Sequence, residues 1–596
     1  NYATKVEDYL HKSTLPTYHF QQCLPRLLPI PKLEDTMSRY IQSLKALEGN
    51  PKLDAFAIYD TERDVNQFLK IDGPFIHETL VKENERNSHT SYITGPWFDM
   101  YLKSRLPLPL NYNPFLTYKR DPNELMNDQV TRATNIVISA MRFKKTLESE
   151  VLSPEVFYMK ETAKSPLIQN LVKYVQLSSL VILHILVIRN GYFYKVTTIN
   201  KDGSIVNPEQ LKSCLQRIKE DSRPPHDQSV GYLTTTDRDT WADTRSQLVK
   251  SGNLSSMLDV DSAIFCLVLE DSVDVDTPEG SVSTFLHGDG ASRWYDKSFT
   301  ILVAGNGDAA LNFEHAWGDG VAVMRFFNEV FFDSTTKPSI LHDTTLPSED
   351  LSECFQQLHF SVDDKMKHLI RKAKSDYEKA TGSLKVAAGK YEKLNKNYLK
   401  LKKVSPDGIL QLAIQVGHHK LCGHPAATYE SCSTSAFKHG RTETIRSCTL
   451  EAQEAARAIA QDDAEYRSKV NDLIRKSCNR HNELTRNAAM GAGFDRHLFG
   501  LRHTAENILG WETPSIFHDL SYGTMNHIIL STSTLSSPAV DIGGFAPVTP
   551  DGFGVGYGVK DDMIGCNITS YDVRDVHGLV DAIVTSFDDI YNVLDG

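Results

Sequence analysis

Of the residue groupings in this chain, Asn312-Phe313-Glu314-His315-Ala316-Trp317-Gly318-Asp319-Gly320 has the types and spacing that best fit chemistry. Its core is H-x-x-x-D-G, set where an apolar run ends and a helical pattern from Val321 to Val330 begins. A His at a strand–helix junction can project its ring into a cleft, and imidazole suits proton transfer near neutral pH, so His315 is a candidate general base. Asp319 can brace the loop or orient the ring. Taken alone, the pair reads more readily as a buried His bonded to backbone and an Asp that caps the next helix. A second grouping is basic: Lys393, Lys396, Lys400, Lys402 and Lys403, followed by Ser405-Pro406-Asp407. Lys396 and Lys400 are four apart on one helical face, where both could reach a phosphate, although an isolated cluster is more often a solvated face. A third grouping, His418, His419, Cys422 and His424, has a short, irregular spacing that fits no usual zinc pattern, so no metal is expected there.

The elements that must position these residues are of mixed type. With 596 residues the chain is too long for one ordinary core. Hydrophobic residues at 40% and charged residues at 23% are ordinary for a globular protein and exclude collagen, coiled coil and wholesale disorder. A net charge of -12 provides no field to hold a polyanion along the molecule, so nucleic acid is not expected as a partner and any basic patch must be local. Nine thinly spread cysteines without a C-x-x-C pair point to a reducing compartment. The longest apolar run, Leu180 to Ile188, is far shorter than the roughly twenty residues of a membrane-spanning helix, so no such helix is expected. No Arg-rich amphipathic targeting segment is visible at the start.

Along the chain, a Pro-punctuated arm turns helical at Leu33. From about 93 to 357, helical stretches alternate with β-branched runs such as Ser262 to Leu269 and Phe299 to Ala304. Residues 363 to 403 and 450 to 510 read as helical, and the last hundred return to strands. This pattern predicts an α/β protein of two lobes: one over 93–357, the other from 1–92 with 358–596, and a site between them.

The His315 stretch resembles the H-x-x-x-D-G motif of coenzyme A-dependent acyltransferases, and much of the chain is similar to one branch, the carnitine/choline acyltransferases. The likeness is carried by Leu24-Pro25-Arg26, Pro29-Ile30-Pro31-Lys32-Leu33, His287-Gly288-Asp289-Gly290, Arg293 to Ser298, Ala427 to Ser431, Arg441 to Arg446, Phe494 to Leu498 and Ser531-Thr532-Ser533. The runs Phe437 to Thr442 and Leu530 to Pro538 are most similar to the family's long-chain mitochondrial branch. The likeness stops before Val187: family members carry there a segment of roughly forty residues, longer than an ordinary connection, that this chain lacks. Lys173 to Ser179 instead run almost directly into Leu180.

The resemblance implies a chloramphenicol-acetyltransferase-like fold with a tunnel between the lobes, and reversible transfer of a long-chain acyl group between carnitine and coenzyme A. His315 would be the single base for both directions. The absence of a G-x-S-x-G elbow fits direct transfer without a serine acyl-enzyme. Ser533 would stabilise the oxyanion. Arg496 would bind the carnitine carboxylate, with Tyr429, Ser431 and Thr442 as hydroxyl donors, and Phe545 would face the quaternary ammonium. Lys396, Lys400 and Asp407 would belong to the coenzyme A site, and Gly543 would leave open an acyl pocket that short-chain members plug. Coenzyme A and carnitine, with their acyl forms, are then substrates; no tightly bound cofactor is implied. The expected protein is a monomer on the matrix side of the mitochondrial inner membrane, in contact with its surface. A medium-chain or peroxisomal enzyme, or a non-catalytic sensor with the same fold, is the alternative.

Overall fold

Two of the apolar runs become neighbouring strands at the centre of a sheet. In this computed structural model, residues 9–10, 27–153, 155–157, 167–169, 183–271, 275, 277–346, 354–461, 464–534 and 536–596 are described. The strands in chain order are β1 (Phe115–Tyr118), β2 (Glu155–Phe157), β3 (Leu167–Gln169), β4 (His184–Arg189), β5 (Tyr192–Thr197), β6 (Cys266–Glu270), β7 (Phe299–Ala304) and β8 (Ala309–Phe313). They continue with β9 (Phe355–Leu358), β10 (Leu384–Tyr391), β11 (Thr428–Ser433), β12 (Thr442–Ile445), β13 (Leu530–Thr534), β14 (Val540–Gly544), β15 (Phe553–Val559) and β16 (Ile564–Tyr571). An eight-stranded sheet has the order β14-β1-β8-β7-β6-β4-β5-β9, a six-stranded sheet the order β10-β16-β15-β13-β11-β12, and β2 pairs with β3. The predicted mixed α/β class is what the structure has.

In the first sheet, β4, β6 and β7 are parallel and apolar along most of their length because both faces are covered. Ile185, Val187, Leu267, Ile301 and Val303 point into one hydrophobic cluster, and Leu186, Ile188, Val268, Leu302 and Ala304 into another. The period of two sends alternate side chains to opposite layers. The second sheet packs against the helices Pro406–Cys422 and Val576–Asp595, with Ile409, Val416, Leu579, Ile583 and Phe587 meeting Leu530, Val555 and Ile568. The helices Leu33–Lys45, Ala55–Lys70 and Asp72–Arg86 cover Phe494, Leu498 and Leu501 of the C-terminal half.

Three local readings are corrected. Ser262 ends the helix Leu254–Ser262, so that run becomes a strand only at Cys266. The Lys- and Ala-rich stretch 363–403 is not all helix: the helix Asp364–Gly382 is followed by β10 at the edge of the second sheet, where exposed lysines discourage further pairing. The last hundred residues hold four strands but close on the helix Val576–Asp595. The residues around Lys173 to Ser179 lie outside those described.

One strand ties the two sheets together. β14 comes from the C-terminal half, yet it pairs with β1 of the first sheet, Phe115 opposite Gly544 and Leu116 opposite Gly543. It also lies directly against β15, whose alternating Gly554, Gly556 and Gly558 leave that approach open. A Cβ on Gly556 would stand 2.4 Å from the Gly543 carbonyl oxygen, and one on Gly554 would stand 2.7 Å from that of Phe545. Both contacts are with backbone and cannot yield as a side-chain tip would. Gly556→Ala is therefore expected to destabilise the protein by about 1–3 kcal/mol through overpacking, read as a lower urea midpoint; an unchanged midpoint would show that the strands can separate at no cost.

Candidate active site

The loop between β8 and the helix Gly320–Thr336 presents His315. Its backbone is pinned from both sides: the His315 N–H donates to the Tyr112 carbonyl at 2.9 Å, and the Glu314 N–H to that of Ser298 at 3.0 Å. The His315 side chain is 31% exposed, but its Nδ1 is buried and has no hydrogen-bond partner. Asp319 stands at the helix start without capping it through its side chain. Its carboxylate instead accepts two hydrogen bonds from Arg441, at 2.6 Å from Nε and 3.3 Å from Nη2. The His315 Nδ1 is 3.6 Å from Asp319, an electrostatic contact too long for a hydrogen bond. Asp319 thus ties the loop to Arg441 while staying in electrostatic contact with the His315 ring.

Arg441 immediately precedes β12, which leads straight into the second cluster. Arg496 is the second residue of the helix Asp495–His503 and is 4% exposed. Its guanidinium donates to the Thr442 carbonyl at 2.7 Å, Thr442 Oγ1 at 3.0 Å, Thr444 Oγ1 at 3.1 Å and the Tyr429 hydroxyl at 3.3 Å. The Trp97 ring lies 3.8 Å from its central carbon, a cation–π contact. All of these direct partners are neutral. Negative charge also lies close by: the buried Glu443 carboxylate accepts from the Arg496 backbone N–H at 3.2 Å, and Glu443 and Asp495 both favour the charged guanidinium.

The remaining predicted residues fall into three places. Tyr429 and Ser431 lie on one face of β11, and Ser531 stands beside Tyr429 across the parallel pairing with β13. Ser533, two residues further, shares that face by alternation and is opposite Gly556 of β15. Gly543 and the half-buried Phe545 are fixed through their carbonyls, which accept from Asn567 Nδ2 and Thr569 Oγ1, each at 2.7 Å. Lys396 and Lys400 are on the short helix Lys396–Leu401; Lys400 is exposed, and Lys396 is 3.9 Å from Asp561. Such surface pairs are weak enough for a phosphate to displace. Asp407 turns inward, accepting from His481 Nε2 at 2.8 Å and the Tyr557 hydroxyl at 2.9 Å.

Sequence reasoning gave no role to Trp97, Tyr101 or Arg441. Trp97 and Tyr101 are four apart on the helix Thr94–Lys103 and so share a face. While Trp97 covers Arg496, Tyr101 stacks on His315 with ring centres 5.5 Å apart and lies 5.8 Å from Arg441. The W-x-x-x-Y spacing in Trp97-Phe98-Asp99-Met100-Tyr101 was the available signal. The His418 grouping does not converge, since the His418 Nδ1 donates to the His424 carbonyl at 3.1 Å. Among the described residues, only Asp407, Glu430 and His481 bring three ligand-type atoms within 4.8 Å of one another.

The family comparison gives the class, an acyltransferase. The choline/carnitine O-acyltransferase family model matches residues 28–585, and the chain belongs to that family. Mitochondrial carnitine O-palmitoyltransferase 2 from Xenopus tropicalis is 42% identical over 98% of this chain and 94% of its own length. The human protein of that name is 42% identical, with 99% and 94% covered. Carnitine O-acetyltransferase from Columba livia is 29% identical, with 92% and 90% covered. Among solved structures, the wax ester synthase/diacylglycerol acyltransferase of Marinobacter aquaeolei VT8 overlaps 84% of this chain and 99% of its own at a TM-score of 0.35 and 10% identity, too loosely to carry an argument.

The helix that carries Arg496 is moored by its next residue. His497 Nδ1 is 2.7 Å from Thr36 Oγ1, and its Nε2 is 3.0 Å from His77 Nδ1. Burial, then the neighbouring His77, pushes His497 down to about 3 from an ordinary 6.5. Below pH 6.5 the unfolded chain binds this proton and the native protein does not, so stability is complete above 6.5 and is lost as pH falls toward 3. His497→Gln is expected to flatten the fall in unfolding free energy between those limits; an unchanged slope would mean that another group controls acid sensitivity.

Proposed function

We propose that this protein transfers long-chain acyl groups reversibly between coenzyme A and carnitine. The observation that carries the reading is Arg496, a buried guanidinium whose direct partners are all neutral and which lies one helix face away from His315. Carnitine offers the carboxylate that such a receptor needs; choline does not. The long-chain assignment is supported by the 42% likeness to mitochondrial carnitine O-palmitoyltransferase 2 and by Gly543, which leaves no side chain in the acyl pocket.

His315 removes the proton from whichever nucleophile attacks, the carnitine hydroxyl or the coenzyme A thiol, and returns it to the other on collapse of the tetrahedral intermediate. Ser533 donates to the oxyanion from β13. Tyr429, Ser431 and Thr442 complete the carboxylate site, and Phe545 faces the quaternary ammonium. Lys396 and Lys400 bind phosphates of coenzyme A at the start of the 395–407 stretch that ends in Asp407. The mitochondrial location in the relatives' names is extended to this protein, with a place on the matrix side of the inner membrane. Among the described residues no helix is long and apolar enough to cross a membrane.

The test is the rate of palmitoyl-CoA formation from palmitoyl-carnitine and coenzyme A. His315→Ala is expected to lower kcat by about 10²–10⁴-fold, the usual worth of a general base. Arg496→Ala should raise the carnitine KM by about 10- to 100-fold, in line with roughly 1.5–3 kcal/mol for a charged hydrogen bond. Full activity in His315→Ala, or unchanged carnitine kinetics in Arg496→Ala, would overturn the respective assignment. Rates that peak with acetyl or octanoyl donors would overturn the long-chain reading.

A further inference from the structure

Behind the strands that carry Tyr429 and Ser533 lies a largely buried polar cluster, of which the reaction as described uses only Asp407, at the end of the coenzyme A stretch. Glu430 sits between Tyr429 and Ser431 and points to the opposite face, with only 2% exposure. It is paired in register with Thr532, the middle residue of Ser531-Thr532-Ser533. From the helix Pro406–Cys422 come Asp407 and Gln411, from the helix Ala464–Ala489 comes His481, and from β15 comes Tyr557. Ser447, just beyond β12, donates to Glu430 Oε2 at 3.0 Å.

The protons in this cluster can be counted. Gln411 Nε2 donates to Thr532 Oγ1 at 2.9 Å and to the Tyr557 oxygen at 3.1 Å, and Thr532 Oγ1 donates to the Tyr429 carbonyl at 2.9 Å. The Tyr557 oxygen is 2.9 Å from Asp407 Oδ1 and 3.1 Å from Glu430 Oε1, but a phenol has one hydrogen to share between two carboxyl groups. Asp407 also accepts from His481 at 2.8 Å, whereas His481 is 3.8 Å from Glu430. The bonds close if Asp407 is the anion and Glu430 carries a hydrogen that it donates toward Tyr557. Two carboxylates this near, with Glu430 shut away from water and Asp407 only partly exposed, could not both ionise cheaply.

We propose that Glu430 works as a neutral carboxylic acid, a positioning residue that holds the strand Ser531-Thr532-Ser533 in place for acyl transfer and must keep its proton for turnover. Losing that proton would set two anions against one phenol and break the Tyr557–Gln411–Thr532 chain behind Ser533. The charged and titratable groups facing Glu430 are Asp407, His481, Tyr557 and, on its own strand, Cys432. Burial, then the Asp407 charge, pushes Glu430 up to about 8, while His481 and Tyr557 hold Asp407 below its ordinary range against its own burial. Glu430 would thus ionise at mildly alkaline pH.

The assay rests on the proposed carnitine reaction and is run from acyl-CoA and carnitine, so that no substrate thiol titrates in the range. In the wild type, kcat is expected to fall above about pH 8 by about tenfold per pH unit, as loss of one essential proton requires. Glu430→Gln keeps a donor toward Tyr557, so it should retain kcat within about threefold at neutral pH and lose the alkaline fall. A flat wild-type profile, or the same fall in Glu430→Gln, would overturn the proposal. An infrared titration of the wild-type protein needs neither the reaction nor a folded variant. A carboxylic-acid carbonyl band that vanishes as pH rises through about 8 is expected, and Asp407→Asn should move its loss to lower pH. Absence of that band would overturn the proposal by itself. A normal band in a protein that does not transfer acyl groups to carnitine would instead indict the reaction assignment.

Discussion

Everything at this site depends on the ion pair between Arg441 and Asp319. It joins two segments 122 residues apart, the loop that carries His315 and the residue just before β12. Both side chains are largely removed from water, at 6% and 12% exposure. A pair this enclosed is far more costly to break than to leave out, so the two segments keep a fixed relation. Since Thr442 follows Arg441 directly and accepts from Arg496, the pair sets His315 against the Arg496 cluster. The helix Thr94–Lys103 reinforces the link by laying Tyr101 on His315 and Trp97 on Arg496.

A second constraint is the crossing of β14 over β15. Without side chains at Gly554 and Gly556, the backbone of β14 can reach the second sheet while its other edge pairs with the first. Gly543 and Phe545 are thereby carried to the junction of the sheets, and Ser533 stands opposite Gly556. His315 follows a strand of the first sheet, and Ser533 lies on a strand of the second.

Much of the first sheet was legible in the sequence, because Leu267 and Ile301 lie in runs whose apolar character matches a strand buried on both faces. His315 and Asp319 were visible as a pair, yet the use of Asp319 was not: its partner Arg441 is remote in the chain, and no local pattern encodes so long a contact. Trp97 and Tyr101 show helical spacing, but aromatic residues on a helix usually fill a core, so their place over a cation and a base became evident only once the helix was set against β12. β10 was read as helix because Lys and Ala favour helices, a propensity that pairing with β16 overrides. Asp407 was placed by its spacing from lysines, whereas its orientation depends on His481 and Tyr557, which arrive from other elements.

The central claim is that the carboxylate receptor at Arg496 and the base at His315 form one site. The most direct measurement is a crystal structure with bound carnitine. The account predicts the carnitine carboxylate against Arg496, Thr442 and Tyr429, with the carnitine hydroxyl within about 2.6–3.2 Å of His315 Nε2, the reach needed for proton transfer. Carnitine held away from Arg496, or held there with its hydroxyl out of reach of His315, would contradict it.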